Sequence, residues 1–152
     1  MIANRTRPAE ILVVEDNPGD ADLIVEFLGD GGRSRVWVAR DGEQAMDFMH
    51  RQNGFAQAPR PDLVLLDLNI PRKDGRQVLA EIKADPELQE IPVVVLTSSA
   101  AEQDVDTCYR LHANCYVAKP GELVRYEAVV KAIEEFWLGV ARLPAERGGR
   151  NG

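Results

Sequence analysis

The stretch "PDLVLLDLNIPRKDG", residues 61–75, decides how this chain is read. Leu63, Val64, Leu65 and Leu66 form a short apolar run bounded by turn formers, the pattern of a strand buried on both faces of a parallel sheet. Asp67 follows directly. In open α/β sheets the carboxyl ends of the central strands border the ligand crevice, so this acid is expected at a strand tip, facing a crevice. Pro71 to Gly75 then force a loop behind it.

The segments on either side repeat the same alternation. Upstream, Ile11 to Val14 form an apolar run that ends in Glu15 and Asp16. Asn17 and Pro18 open a helix, with Ala21, Ile24, Val25 and Leu28 at helical spacing. Val36 to Ala39 make a second strand, and Ala45, Met46, Phe48 and Met49 a second helix that ends near Gly54. Downstream, Val78, Leu79 and Ile82 mark a third helix, stopped at Asp85 and Pro86. Val93 to Leu96 form a fourth strand ending in Thr97. A fourth helix carries Val105, Cys108, Tyr109 and Leu111. Cys115 to Ala118 form a fifth strand ending in Lys119, and a last helix runs from about Leu123 to Val140. Five strand–helix units imply an α/β fold, a parallel sheet with helices on both faces and right-handed crossovers. The flavodoxin-like order 2-1-3-4-5 suits five such units. It sets strands 1, 3, 4 and 5 side by side, so that Glu15 and Asp16, Asp67, Thr97 and Lys119 occupy neighbouring carboxyl ends. The domain spans residues 10–143, between an N-terminal arm at 1–9 and a Gly- and Arg-rich tail at 144–152 that reads as flexible.

Composition narrows the function. A chain of 152 residues suits one domain with a real core. A net charge of -7 argues against unaided binding to nucleic acid, because neutralising phosphates needs clustered Lys and Arg. No stretch approaches the roughly 20 apolar residues of a membrane span, and "MIANRTRPAE" has no signal-peptide core; a cytoplasmic location is expected. Cys108 and Cys115 lack metal-ligand spacing and read as buried reduced thiols.

Three carboxylates crowded in one crevice repel one another unless a cation lies among them. Hard oxygen ligands at a wet crevice suit Mg²⁺. Lys119 is a compact charge able to pair with a carboxylate or a phosphoryl oxygen, and Thr97 offers a hydroxyl. Together they form a kit for phosphoryl transfer to an aspartate. Taken singly, each has a plainer reading: Glu15 and Asp16 as a solvated turn, Thr97 as a helix cap, Lys119 as a surface residue. Their joint occurrence at four strand ends favours the functional reading.

The segments "ILVVEDN", "LVLLDLNIPRKDG", "VVVLTSS" and "YVAKP" resemble the four signature segments of bacterial two-component response regulator receiver domains, over roughly residues 10–140. The resemblance implies that Asp67 accepts a phosphoryl group from a phosphohistidine on a sensor histidine kinase. It implies that Asp16 binds Mg²⁺ directly, that Glu15 holds it through water, and that Asn69 adds its backbone carbonyl. Lys119 and Thr97 would contact the phosphoryl oxygens, and Thr97 and Tyr116 would move together as a switch. Glu15 stands where an Asp is common in the family. "VEDNPGDADLI", "LHANCYVAKP" and "IEEFWL" further resemble the small receivers that serve bacterial phytochrome kinases.

A stand-alone signalling receiver, not an enzyme, is therefore expected, passing its signal by a surface change or by phosphate relay to a downstream protein. An aspartate-nucleophile phosphohydrolase usually places a second acid two residues after the nucleophile; here that position is Asn69. A flavodoxin-type carrier would want backbone donors for a flavin phosphate after the first strand, where "EDNPGD" would repel it. A pseudo-receiver scaffold would lack part of the site, and nothing is missing. On the last helix Tyr126, Val129, Val130 and Ile133 read as a core stripe. Phe136, Trp137, Leu138 and Val140 read as an exposed apolar cluster that joins two copies of the chain, the other reading being a cluster folded back on a monomer.

Overall fold

The computed structural model describes residues 7–144; the first six residues of the expected arm and most of the expected tail, 145–152, lie outside the described residues. Five parallel strands, β1 (Ala9–Val14), β2 (Ser34–Ala39), β3 (Leu63–Leu66), β4 (Val93–Thr97) and β5 (Cys115–Ala118), pair in the order β2-β1-β3-β4-β5. This is the flavodoxin-like order expected from the alternation of strands and helices. Ala9, the last residue of the expected arm, already belongs to the sheet: its N–H donates to the Arg33 carbonyl at 2.9 Å, and it pairs with Ser34.

Side chains alternate across a strand, and the sheet uses both faces. Leu12, Val14, Val64, Leu66, Val93 and Val95 pack under α2 (Gly42–His50), α3 (Gly75–Ala84) and α4 (Glu102–Arg110). Ile11, Val13, Leu63, Leu65, Val94 and Leu96 face the other way, onto α1 (Pro18–Leu28) and α5 (Leu123–Glu134). All of β3 is buried on both faces, which is why its sequence is a continuous apolar run rather than an alternation.

Local chemistry sets where the helices begin and end. Asn17 caps α1 by accepting from the Asp20 N–H, and Pro18 takes the first turn. Asp74 caps α3 in a capping box closed by Gln77. α2 stops at His50, earlier than the expected end near Gly54, because Arg51 adopts the left-handed conformation and its N–H returns to Asp47 and Phe48 carbonyls. Glu135–Val140 continue α5 as a π-helical segment, which composition did not foretell. Its wider turn buries Leu138 and Gly139, so Leu138 belongs to the core rather than to the exposed cluster expected there. Of the two thiols, Cys108 is buried as expected, whereas Cys115, on the edge strand, is only partly buried; both are free.

Candidate functional site

The carboxyl ends of β1, β3, β4 and β5 are held in register by backbone bonds that run past the strands themselves. The Glu15 N–H donates to the Ala39 carbonyl at 2.9 Å, Asp67 N–H to Val14 at 3.0 Å, and Lys119 N–H to Thr97 at 2.7 Å. The ladder therefore carries the chemistry-bearing side chains as if they were strand residues. Glu15 and Asp67 are buried at 2% and 7% exposure, and Asp16 turns out to solvent.

Lys119 is the hub. Its Nζ donates to Glu15 Oε1 at 2.6 Å, Asp20 Oδ2 at 3.0 Å and Asp67 Oδ2 at 3.2 Å. An ammonium has three donors, and three carboxylates take them. Asp67 Oδ1 meanwhile accepts the Asn69 N–H at 3.3 Å. Asp20 is a site residue that the strand-end pattern does not single out. The signal was there: a helix that starts at the tip of β1 presents its first turn to the same crevice.

The electrostatics divide the two buried acids. Burial pushes the Glu15 carboxyl up to about 7, with the Asp67 charge adding to this and Lys119 opposing it. Burial also pushes Asp67 up, but the Thr97 hydroxyl, Lys119 and the Asn69 N–H outweigh it, so Asp67 lies below the usual carboxylate range. Asp67 is thus held ionised, as a nucleophilic oxygen must be. The Thr97 hydroxyl is fully buried and, close enough to Asp67 to help lower its carboxyl, completes no well-formed hydrogen bond. A buried hydroxyl without a partner costs free energy, and a ligand oxygen in the crevice would recover it.

Glu15, Asp16 and Asp67 each bring a carboxylate oxygen within 4.8 Å of the others. Crowded hard donors of one sign, one of them pushed up to about 7, are the environment that a divalent cation relieves. The donor set therefore fits Mg²⁺ or a close substitute. Of the remaining expected residues, Tyr116 lies on β5, half-buried, and donates from its hydroxyl to the Ser99 carbonyl at 2.8 Å. Phe136 and Trp137 lie away from the site, toward the amino end of the sheet, where Arg33 before β2 bonds Glu135 at 3.0 Å.

The chain matches the response regulator receiver domain family over residues 11–131 and belongs to it, a family of two-component signalling proteins. Among its relatives is the response regulator Rcp1 of Synechocystis sp., 48% identical over 139 residues that make up 91% of this chain and 95% of that protein. The crystal structure of the phosphorylated cyanobacterial phytochrome response regulator RcpA superimposes with a TM-score of 0.88 at 50% identity, covering 91% of this chain and 99% of the other. The Mn²⁺-bound form of Rcp1 gives 0.87 at 48% identity, covering 91% and 100%. Homologous structures of this kind thus include one with a divalent metal and one that is phosphorylated. Among the described residues no helix is long and apolar enough to cross a membrane.

Proposed function

We propose that the chain is the phosphoryl acceptor of a cytoplasmic two-component pathway, with Asp67 as the acceptor, Mg²⁺ as the cation and a phytochrome-type histidine kinase as donor. The observation that carries this is one carboxylate, Asp67, held ionised at a strand tip within 3.2 Å of Lys119 and beside two further acids. Its oxygen attacks the phosphorus of a phosphohistidine; the P–N bond breaks, and the imidazole leaves with the electron pair and takes up a proton. Asp16 and Asp67 would hold the cation directly, with Glu15 acting through water and the Asn69 carbonyl adding a further oxygen. The cation supplies charge neutralisation for the incoming phosphoryl oxygens. Lys119 hands a donor from Glu15 or Asp20 to one of those oxygens, and Thr97 donates its unused hydroxyl to another. Thr97 and Tyr116 then form the switch through which a downstream phosphotransfer or effector protein reads the state. The phytochrome assignment is supported by the relatives and is tested by phosphotransfer from a panel of purified histidine kinases. Transfer from a phytochrome kinase at least about tenfold faster than from the others is expected; equal rates across the panel would remove it.

The metal roles rank the acids. Glu15 is already engaged by Lys119 and by the Asn17 N–H at 3.2 Å, whereas Asp16 is exposed at the crevice. By calorimetric titration, Asp16→Ala is expected to weaken Mg²⁺ binding by about tenfold or more and Glu15→Ala by several-fold less. Equal losses would contradict the ranking.

We further propose a homodimer that uses the end of the last helix. Phe136 is 49% exposed and Val140 65%, and Trp137 packs edge-on to Phe136 with ring centroids 5.2 Å apart. An aromatic pair of this kind, partly in water, suits an interface anchor. Sedimentation at tens of micromolar is expected to show a dimer for the wild type and a monomer for Phe136→Glu. A monomeric wild type, or a dimeric variant, would defeat the proposal.

A further inference from the structure

The loop that joins Thr97 to α4 is held by a chain of polar contacts that the acceptor chemistry does not use. The residue that precedes α4 at its cap position is Ala101, whose methyl side chain cannot accept a hydrogen bond. Ser99 does the work instead. Its hydroxyl donates to Asp104 Oδ2, in the first turn of α4, at 2.6 Å and accepts the Ala101 N–H at 3.3 Å. Its carbonyl accepts from the Tyr116 hydroxyl at 2.8 Å. Asp104 Oδ1 in turn takes Arg76 Nη2 at 2.7 Å, and Arg76 Nη1 spans both oxygens of Asp74, the cap of α3, at 3.2 and 3.1 Å. A continuous path therefore runs from the rigid start of α3, through Arg76, Asp104 and Ser99, to Tyr116.

Its position gives it leverage. Ser99 is two residues from Thr97, whose hydroxyl is buried and unbonded in this arrangement. To bond a phosphoryl oxygen on Asp67, Thr97 must move toward Asp67 and pull Ser99 after it. Ser99 cannot follow while its hydroxyl is tied to Asp104 and Asp104 to Arg76. The ties are charge-assisted and partly shielded from solvent, the class of hydrogen bond that is strongest. They also feed back on the charges they join: hydrogen bonds from Ser99 and Arg76 hold the Asp104 carboxyl below its usual range.

We propose that Arg76 and Asp104 are positioning residues that clamp Ser99, and through it Thr97 and Tyr116, in the resting arrangement, so that the clamp must yield for the phosphoryl group to be bound. This rests on Asp67 being the acceptor. A contact present in only one of two states biases the equilibrium by its own free energy. Removing the clamp therefore raises affinity for a phosphoryl mimic, where loss of a merely structural contact would leave it unchanged or lower it.

The test is beryllofluoride binding in saturating Mg²⁺, followed by NMR of the Thr97 and Tyr116 amides. Wild type, Arg76→Gln and Ser99→Ala are compared. Arg76→Gln and Ser99→Ala are expected to bind about five- to tenfold more tightly, a usual range for a coupling of this size. Single variants that bind no more tightly than wild type overturn the clamp. Ser99→Ala keeps every charge, so it decides the matter if Arg76→Gln fails to fold. A wild type that binds no beryllofluoride, or binds it equally after Asp67→Asn, would instead overturn the acceptor assignment itself.

Discussion

Asp67→Asn is expected to reduce Mg²⁺-dependent labelling by acetyl phosphate to background. The amide is the same size as the carboxylate and has no nucleophilic oxygen. It can still accept from one neighbour: if the amide oxygen faces Lys119, the Asn69 N–H loses its acceptor, and if it faces Asn69, two donors meet at Lys119. The substitution also removes the Asp67 charge that helps to push Glu15 up. These changes oppose one another, and the fold is expected to survive with Tm within about 4 °C of wild type, the shift that ~1 kcal/mol brings in a domain of this size. Labelling and Tm measured on the same sample separate loss of the nucleophile from loss of the fold. Labelling retained at more than a tenth of the wild-type level in a folded variant would mean that a different group accepts the phosphoryl.

Gly75→Ala is expected to be strongly destabilising for a change of a single methyl. A Cβ at Gly75 would overlap the Asp67 carbonyl oxygen and lie 2.6 Å from the Leu68 Cα. Both are backbone atoms, so no side chain can rotate to make room. The Gly75 N–H also holds the Leu68 carbonyl at 3.0 Å, and moving away would lose that bond. The cost is put at about 3 kcal/mol or more, the upper range for overpacking a tight site, which lowers Tm by roughly 10 °C in a domain of this size. Because the displaced backbone is that of Asp67 and Leu68, Mg²⁺ affinity should fall with it. Thermal unfolding checks the first effect and calorimetry the second; a variant with unchanged Tm would show that the loop yields freely. Gly42 abuts the same loop from the other side, where a Cβ would meet the Lys73 carbonyl and approach its Cβ at 2.6 Å. Two glycines thus let two helices close on one loop.

Much of this could be read before the fold was seen. The continuous run Leu63–Leu66 marks a strand buried on both faces, and alternation with amphipathic helices yields the sheet order, since both depend on burial of apolar surface, which composition records directly. The convergence of Glu15, Asp16, Asp67, Thr97 and Lys119 on one crevice follows from that topology. Asp20 did not stand out, because helix caps and site residues draw on the same short polar side chains. The path from Arg76 through Asp104 to Ser99 could not be read either: its members are 28 and 5 residues apart, on different helices, and nothing local distinguishes such a pair from surface charges. Leu138 is buried where exposure was expected, because the core reaches further along the last helix than the length of the sheet suggests.

That last departure has a geometrical meaning. A π-helical turn holds more residues than an α turn, so the segment Glu135–Val140 acts as a phase shifter, taking up residues without advancing the rotation an α-helix would give them. Side chains within it fall progressively behind the roughly 100° per residue of a regular α-helix. Leu138 is thereby rotated inward and Phe136 and Val140 outward, while the Arg33–Glu135 ion pair stakes the position at which the shift begins. The face that the end of this helix offers to a partner is thus set by a count of residues as much as by their identity.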